Sequence, residues 1–138
     1  MVIVDTTIWS LALRRRLETL NPVEQRCVDR WRELATSGDV VLLGIVRQKL
    51  LTGLRHAAQF SRLQRDLDAF DTLVATVIDH DRAAESFNAC RARGIAAGDI
   101  DMLICALAIR HRLPIFTADA DLKRYAKVLP IRLYNLTR

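Results

Sequence analysis

Five aspartates stand where they could act together: Asp5, Asp99, Asp101, Asp119 and Asp121. Asp5 closes the apolar run Val2-Ile3-Val4. Asp119 and Asp121 follow Ile115-Phe116-Thr117, and Asp99 and Asp101 open a long apolar segment after the Gly94 to Gly98 stretch. In open parallel α/β sheets, sites form at the carboxyl ends of the strands, where helices also begin, so all five acids are expected at one edge. Two carboxylates 4 Å apart repel by about 4 kcal/mol at an effective dielectric of 20. A small hard divalent cation, Mg²⁺ or Mn²⁺, removes that cost and favours oxygen donors of this kind. It would also activate water and stabilise charge on a phosphoryl oxygen. Simpler roles compete for each acid. Asp99 reads as the N-cap of the helix after it, Asp101 as a first-turn acid complementing the helix dipole, and Asp121 as the cap of a following short helix. Asp5 is harder to explain away, because a charge ending a buried strand needs a partner.

The chain that must position these acids has 138 residues and is 51% hydrophobic. That is one domain's worth, residues 1–138, with enough apolar side chains for a core without staples. Disorder and collagen-like structure are excluded by that composition, and no apolar stretch approaches the 18 to 20 residues of a membrane span. The N-terminus lacks a basic segment before its apolar run, and three cysteines (Cys27, Cys90, Cys105) lack paired spacing, which together predict a reduced, cytoplasmic protein. The net charge is +5, and 18 of the 21 cationic residues are Arg. Arg grips phosphate bidentately, so the excess points either to a nucleic-acid partner or merely to a GC-rich coding bias. Arg47, Arg110 and Arg112 are expected nearest the acidic edge as phosphate contacts. The Arg14-Arg15-Arg16 run fits either an RNA backbone or a solvated helix end.

Strands and helices alternate along the chain. Val2 to Val4, Val40 to Leu43, Ile115 to Thr117 and Ile131 to Tyr134 are short apolar runs suited to strands buried on both faces. Helices are predicted from Thr6 to about Arg15, Pro22 to Thr36, Ile45 to Arg55, Ala57 to Phe70, Asp79 to Arg93 with Gly94 at its C′ position, Ile100 to Arg112 and Asp121 to Lys127. Leu73 to Ile78 reads as a short strand or an extended loop. The pattern predicts an α/β fold: a three-layer α/β/α sandwich around a parallel sheet of four to five strands. His56, His80 and His111 are scattered without ligand spacing, and Trp9 and Trp31 are expected in the core or an interface.

Val-Ile-Val-Asp5-Thr6-Thr7-Ile-Trp9, Asp101-Met-Leu-Ile-Cys-Ala-Leu-Ala108 and Leu113-Pro-Ile-Phe-Thr117-Ala-Asp119-Ala-Asp121-Leu together resemble the PIN domain, and more narrowly the VapC toxins of type II toxin–antitoxin pairs. The likeness runs through nearly the whole chain in order. It implies a cytoplasmic endoribonuclease dependent on Mg²⁺ or Mn²⁺ that cleaves RNA with metal-activated water. It also implies a homodimer, possible assembly into a larger complex, and neutralisation by a small cognate antitoxin. By the same resemblance Asp5, Asp101 and Asp119 form the catalytic and metal-binding set, Asp121 joins as a metal ligand, and Asp99, Thr6 and Thr117 are accessory.

One position departs from the pattern. In the segment Val46-Arg47-Gln48-Lys49-Leu50-Leu51-Thr52-Gly53, Lys49 stands where the family carries a Glu. Glu18, Glu24, Glu33 and Glu85 all belong to other segments, and Gln48 is rotated about 100° from that face. Exchanging an anionic ligand for an ammonium changes the pocket by two charges and is expected to weaken metal affinity, leaving a feeble or inactive nuclease. A non-catalytic module that binds antitoxin or RNA is the alternative reading. A metal-dependent phosphatase is a third, disfavoured because Thr7 occupies the place of a second Asp two residues beyond Asp5.

Overall fold

A computed structural model describes residues 1–137 of the chain. Four parallel strands form a sheet in the order β3-β2-β1-β4. They are β1 (Val2–Val4), β2 (Val40–Leu43), β3 (Thr72–Leu73) and β4 (Ile115–Phe116), with seven α-helices around them: α1 (Thr6–Leu13), α2 (Pro22–Thr36), α3 (Gly44–Leu51), α4 (Ala57–Leu67), α5 (Val77–Ala92), α6 (Asp99–His111) and α7 (Ala120–Tyr125). Val2 and Ile3 pair with Val40 and Val41 on one side, and Ile3 and Val4 with Ile115 and Phe116 on the other. Every residue of β1 and β2 is buried, as their unbroken apolar runs require for a sheet covered on both faces. This is the expected α/β sandwich.

Several boundaries moved, each for a local reason. Asp5 caps α1, accepting from the backbone N–H groups of Thr7 and Ile8, and the helix stops at Leu13 rather than Arg15. α3 ends at Leu51, because Gly53 takes φ +86°, a conformation that breaks a helix and suits only glycine. The open segment Leu73 to Ile78 divides. Thr72 and Leu73 pair with Leu42 and Leu43, and α5 starts at Val77, earlier than expected, behind a capping box made by Thr76 and Asp79. Asp99 does not cap α6. Gly98 holds the N-cap position and Asp99 is the first helical residue. Asp121 does not cap α7 either; Asp119 does, accepting from the Asp121 backbone N–H at 2.9 Å. The last expected strand reduces to one bridge between Ile115 and Leu133, because β4 itself is only two residues long.

Two features hold the layers. Trp9 is fully buried, donates its indole N–H to the Val4 carbonyl at 3.1 Å, and meets Trp31 and Phe70 edge-on at centroid distances of 5.3 and 4.9 Å. On α6, Met102 to Ala108 are buried without interruption, so this helix lies inside the fold rather than on it. α5 is joined to α6 by an ion pair. The buried Asp79 receives Arg110 Nε at 2.6 Å on one oxygen and Arg110 Nη2 at 2.8 Å on the other. All three cysteines are buried and free.

Candidate metal centre

The acids gather where β1 and β4 end and α6 and α7 begin. Asp5 leaves β1, Asp119 ends the short loop after β4, Asp121 lies in the first turn of α7, and Asp101 lies in the first turn of α6. Asp101, Asp119 and Asp121 each offer a carboxylate oxygen within 4.8 Å of the other two. Full charges at that separation repel by roughly 3 kcal/mol per pair at an effective dielectric of 20. The strain shows on Asp101, whose carboxyl is pushed above the usual range by burial and by the neighbouring Asp119 charge.

Asp5 is not one of these three. It is 4% exposed, and its oxygens are already engaged. Oδ1 accepts from the Thr7 backbone N–H at 3.0 Å and the Thr7 hydroxyl at 2.5 Å; Oδ2 accepts from the Thr117 hydroxyl. Burial raises its pKa, and these hydrogen bonds oppose the rise. The two hydroxyls then reach onward. Thr7 Oγ1 accepts from the Ala118 backbone N–H at 2.9 Å, and Thr117 Oγ1 accepts from the Asp119 backbone N–H at 2.9 Å. Asp5 therefore fastens the loop that carries Asp119, through two threonines.

The remaining expected residues are placed as follows. Thr117 is at the site, in the role just given. Thr6 makes no side-chain hydrogen bond among the described residues, and Thr7, one position on, fills the accessory place expected of it. Residue i+2 after a helix-capping Asp is a recurrent partner of that Asp, which is the signal that distinguishes the two threonines. Asp99 is not one of the three clustered acids; it lines a cavity of about 400 Å³ with Ile45, Phe87, Ile100 and Leu103. Lys49 is exposed on α3, makes no ion pair among the described residues, and its positive charge slightly opposes the rise in the Asp101 pKa.

Arg47 is tied to Asp68 at 2.8 Å. Arg110 and Arg112 are not at the acidic edge at all. They end α6, about 16 and 20 Å along its axis from Asp99. A helix whose first-turn acids sit at that edge carries its last turn away from it, so the two arginine expectations conflicted with the placing of Asp99 and Asp101. Among the described residues Arg124 forms an ion pair with one of the three acids, Asp121, one turn along α7.

Tyr125 was not singled out in the sequence. Its ring is 2% exposed, and its hydroxyl donates to Asp101 Oδ2 at 3.3 Å. Tyr125 lies four residues after Asp121, which sets both on one face of α7. Cys105, one turn along α6 from Asp101, has its thiol pushed up to about 12 by burial and by the Asp101 charge, so it is inert.

The donor set fits a small hard divalent ion. All three candidate ligands are carboxylate oxygens, and oxygens around one Mg²⁺ at 2.0–2.1 Å lie no more than about 4.2 Å apart, close to the observed spacing. The ion would relieve the repulsion that raises Asp101.

The PIN-domain family model matches residues 2–128. Among solved structures, FitAcB from Neisseria gonorrhoeae is similar at 22% identity over 100% of this chain and 99% of that one, with a TM-score of 0.76. VapBC2 from Rickettsia felis, bound to a DNA fragment from their promoter, is similar at 17% identity over 98% of each chain, TM-score 0.75. VapBC-1 from nontypeable Haemophilus influenzae is similar at 15% identity over 100% of each chain, TM-score 0.72. None of the curated proteins compared with the chain matches it.

Proposed function

The chain belongs to the PIN-domain family, and from that premise we propose that it is a VapC-type toxin, a single domain over residues 1–138 built to cleave RNA with a divalent ion. The observation that carries this reading is the convergence of Asp101, Asp119 and Asp121 at the carboxyl edge of the parallel sheet. In this arrangement those three residues hold Mg²⁺ or Mn²⁺. Asp5 acts through Thr7 and Thr117 as the anchor of the Asp119 loop. When bound, the ion supplies an activated water and offsets charge on the phosphoryl oxygen. Tyr125 orients Asp101 by its hydrogen bond, and Asp119 doubles as the cap of α7, so the carboxylates are held before any ion arrives.

Similarity to VapBC and FitAB complexes supports a small antitoxin as partner and a role in a toxin–antitoxin pair. The exposed apolar side chains of Val74, on the β3–α5 connection, and of Val77 and Ile78, in the first turn of α5, support a homodimer. No helix among the described residues is long and apolar enough to cross a membrane, consistent with cytoplasmic action.

Lys49 favours a second reading, a non-catalytic module. The lysine stands where the family resemblance expects a Glu, and its charge favours ionised Asp101, so it would compete with a metal for that carboxylate. Cleavage of RNA by the natural chain and by Lys49→Glu, each with and without Mn²⁺, separates the two. Weak metal-dependent cleavage that strengthens at least tenfold in Lys49→Glu supports the toxin reading with a handicapped site. No cleavage by either form, with Mn²⁺ demonstrably bound, would leave the binding module. Growth arrest on expression, relieved by the partner gene, checks the toxin role independently.

A further inference from the structure

The arginine run Arg14-Arg15-Arg16 takes no part in the metal centre, yet the fold does not leave it as a loose helix end. Arg14 and Arg16 form one wall of a groove of about 510 Å³ between the C-terminus of α1 and the face of α4. Arg62 of α4 stands on the other wall with Gln59 and Asp66, and Leu13, Leu54 and Leu63 make the floor. Arg55 and Arg65 are exposed on the same segment of chain. Arg14, Arg16 and Arg62 pair with no carboxylate among the described residues; Arg26, Arg55, Arg65, Arg91, Arg93, Arg112 and Arg132 are unpaired too, but these three line one groove together.

From these observations we infer that the Arg14–Arg16–Arg62 groove binds the sugar–phosphate backbone of the RNA that the acidic pocket cuts. This rests on the ribonuclease reading above. Three unneutralised guanidiniums around a narrow channel with one acid are held at a cost in mutual repulsion that a polyanion relieves. Guanidinium forks match phosphate oxygens bidentately, and no lysine lines the groove. Position agrees as well. α1 starts at Asp5 and ends beside Arg14, so its eight residues set the groove about 12 Å from the anchor of the active loop.

The test is the salt dependence of RNA binding in EDTA, which needs no cleavage. A fluorescein-labelled single-stranded RNA is titrated with the natural chain, with R14Q/R16Q/R62Q, and with R26Q/R32Q/R93Q, which removes the same charge from exposed positions outside the groove. Thermal melts of both variants establish that each is folded, and R62Q alone provides a milder form. Three lost phosphate contacts lower the slope of log K against log salt by about 2 for single strands. R62Q lowers it by about 0.7, and the control set leaves it unchanged. An unchanged slope in both groove variants overturns the inference while the nuclease reading stands. So does normal RNA binding by the groove variant together with lost binding of an acidic peptide. If the natural chain binds no RNA at all, the substrate reading itself falls, which is a different result from either.

Discussion

Replacing Arg110 should cost stability and leave nucleic-acid binding untouched. Asp79 is fully buried and takes two guanidinium bonds from Arg110, with two more hydrogen bonds from the Thr76 backbone N–H and hydroxyl. These contacts, the Arg110 pair first among them, hold its carboxyl at about 2 against an ordinary 3.8. A depressed carboxyl contributes stability above its unfolded pKa and loses it as pH falls through the folded value. Asp79 thus contributes about 2.5 kcal/mol above pH 5, fading between roughly pH 4 and pH 2. Breaking a buried pair by removing one partner costs about 3–5 kcal/mol, but the Arg110 side chain is 39% exposed, which places the expected loss just below that range. We expect Arg110→Gln to unfold about 2.5 kcal/mol more easily in urea at pH 7. Without the guanidinium, burial drives the Asp79 pKa up, so protonation at low pH relieves the variant while it weakens the natural chain. The gap between them should close to under 1 kcal/mol by pH 3. A gap independent of pH would refute the ion-pair account, and a change in RNA affinity comparable to that of the groove variants would return Arg110 to the binding surface.

Two further outcomes follow from the loop behind the metal centre and from the pocket itself. Thr7→Val removes the hydroxyl that joins Asp5 to the Ala118 backbone N–H; Asp5 Oδ1 keeps its backbone donors and Ala118 is exposed to water, so the expected cost in urea unfolding is about 1 kcal/mol. The neighbouring Thr6→Val, which loses no side-chain hydrogen bond, should stay within about 0.5 kcal/mol of the natural chain. Titration with Mn²⁺, followed by calorimetry, should show one binding process abolished by Asp119→Asn and weakened by Tyr125→Phe. Equal affinity in Asp119→Asn would remove the three-carboxylate site.

Much of the architecture was legible because the strands are written without ambiguity. Val2-Ile3-Val4 and Val40-Val41-Leu42-Leu43 carry no polar residue, which only a sheet covered on both faces accepts, and parallel connection follows from the helices between them. The edge at which the acids meet was legible for the same reason. Less legible was how the acids divide their labour. Asp5 and Asp119 have the same sequence signature, a carboxylate just past a buried strand, but Asp5 takes hydrogen bonds from two threonine hydroxyls outside the three-acid cluster, and Asp119 lies within it. That division depends on which threonine faces the strand end, and Thr6 and Thr7 differ by a rotation of 100° that local spacing resolves only once the helix start is fixed at Asp5. The arginines show the opposite limit. Their number pointed toward phosphate, but the direction of α6 across the sheet decides that Arg110 serves Asp79, while the turn after α1 carries Arg14 and Arg16 to α4. Charge in the sequence thus announced a polyanion without saying where it lies. The location depends on which unpaired guanidiniums the fold gathers, and Arg14, Arg16 and Arg62 are gathered in the groove beside α4.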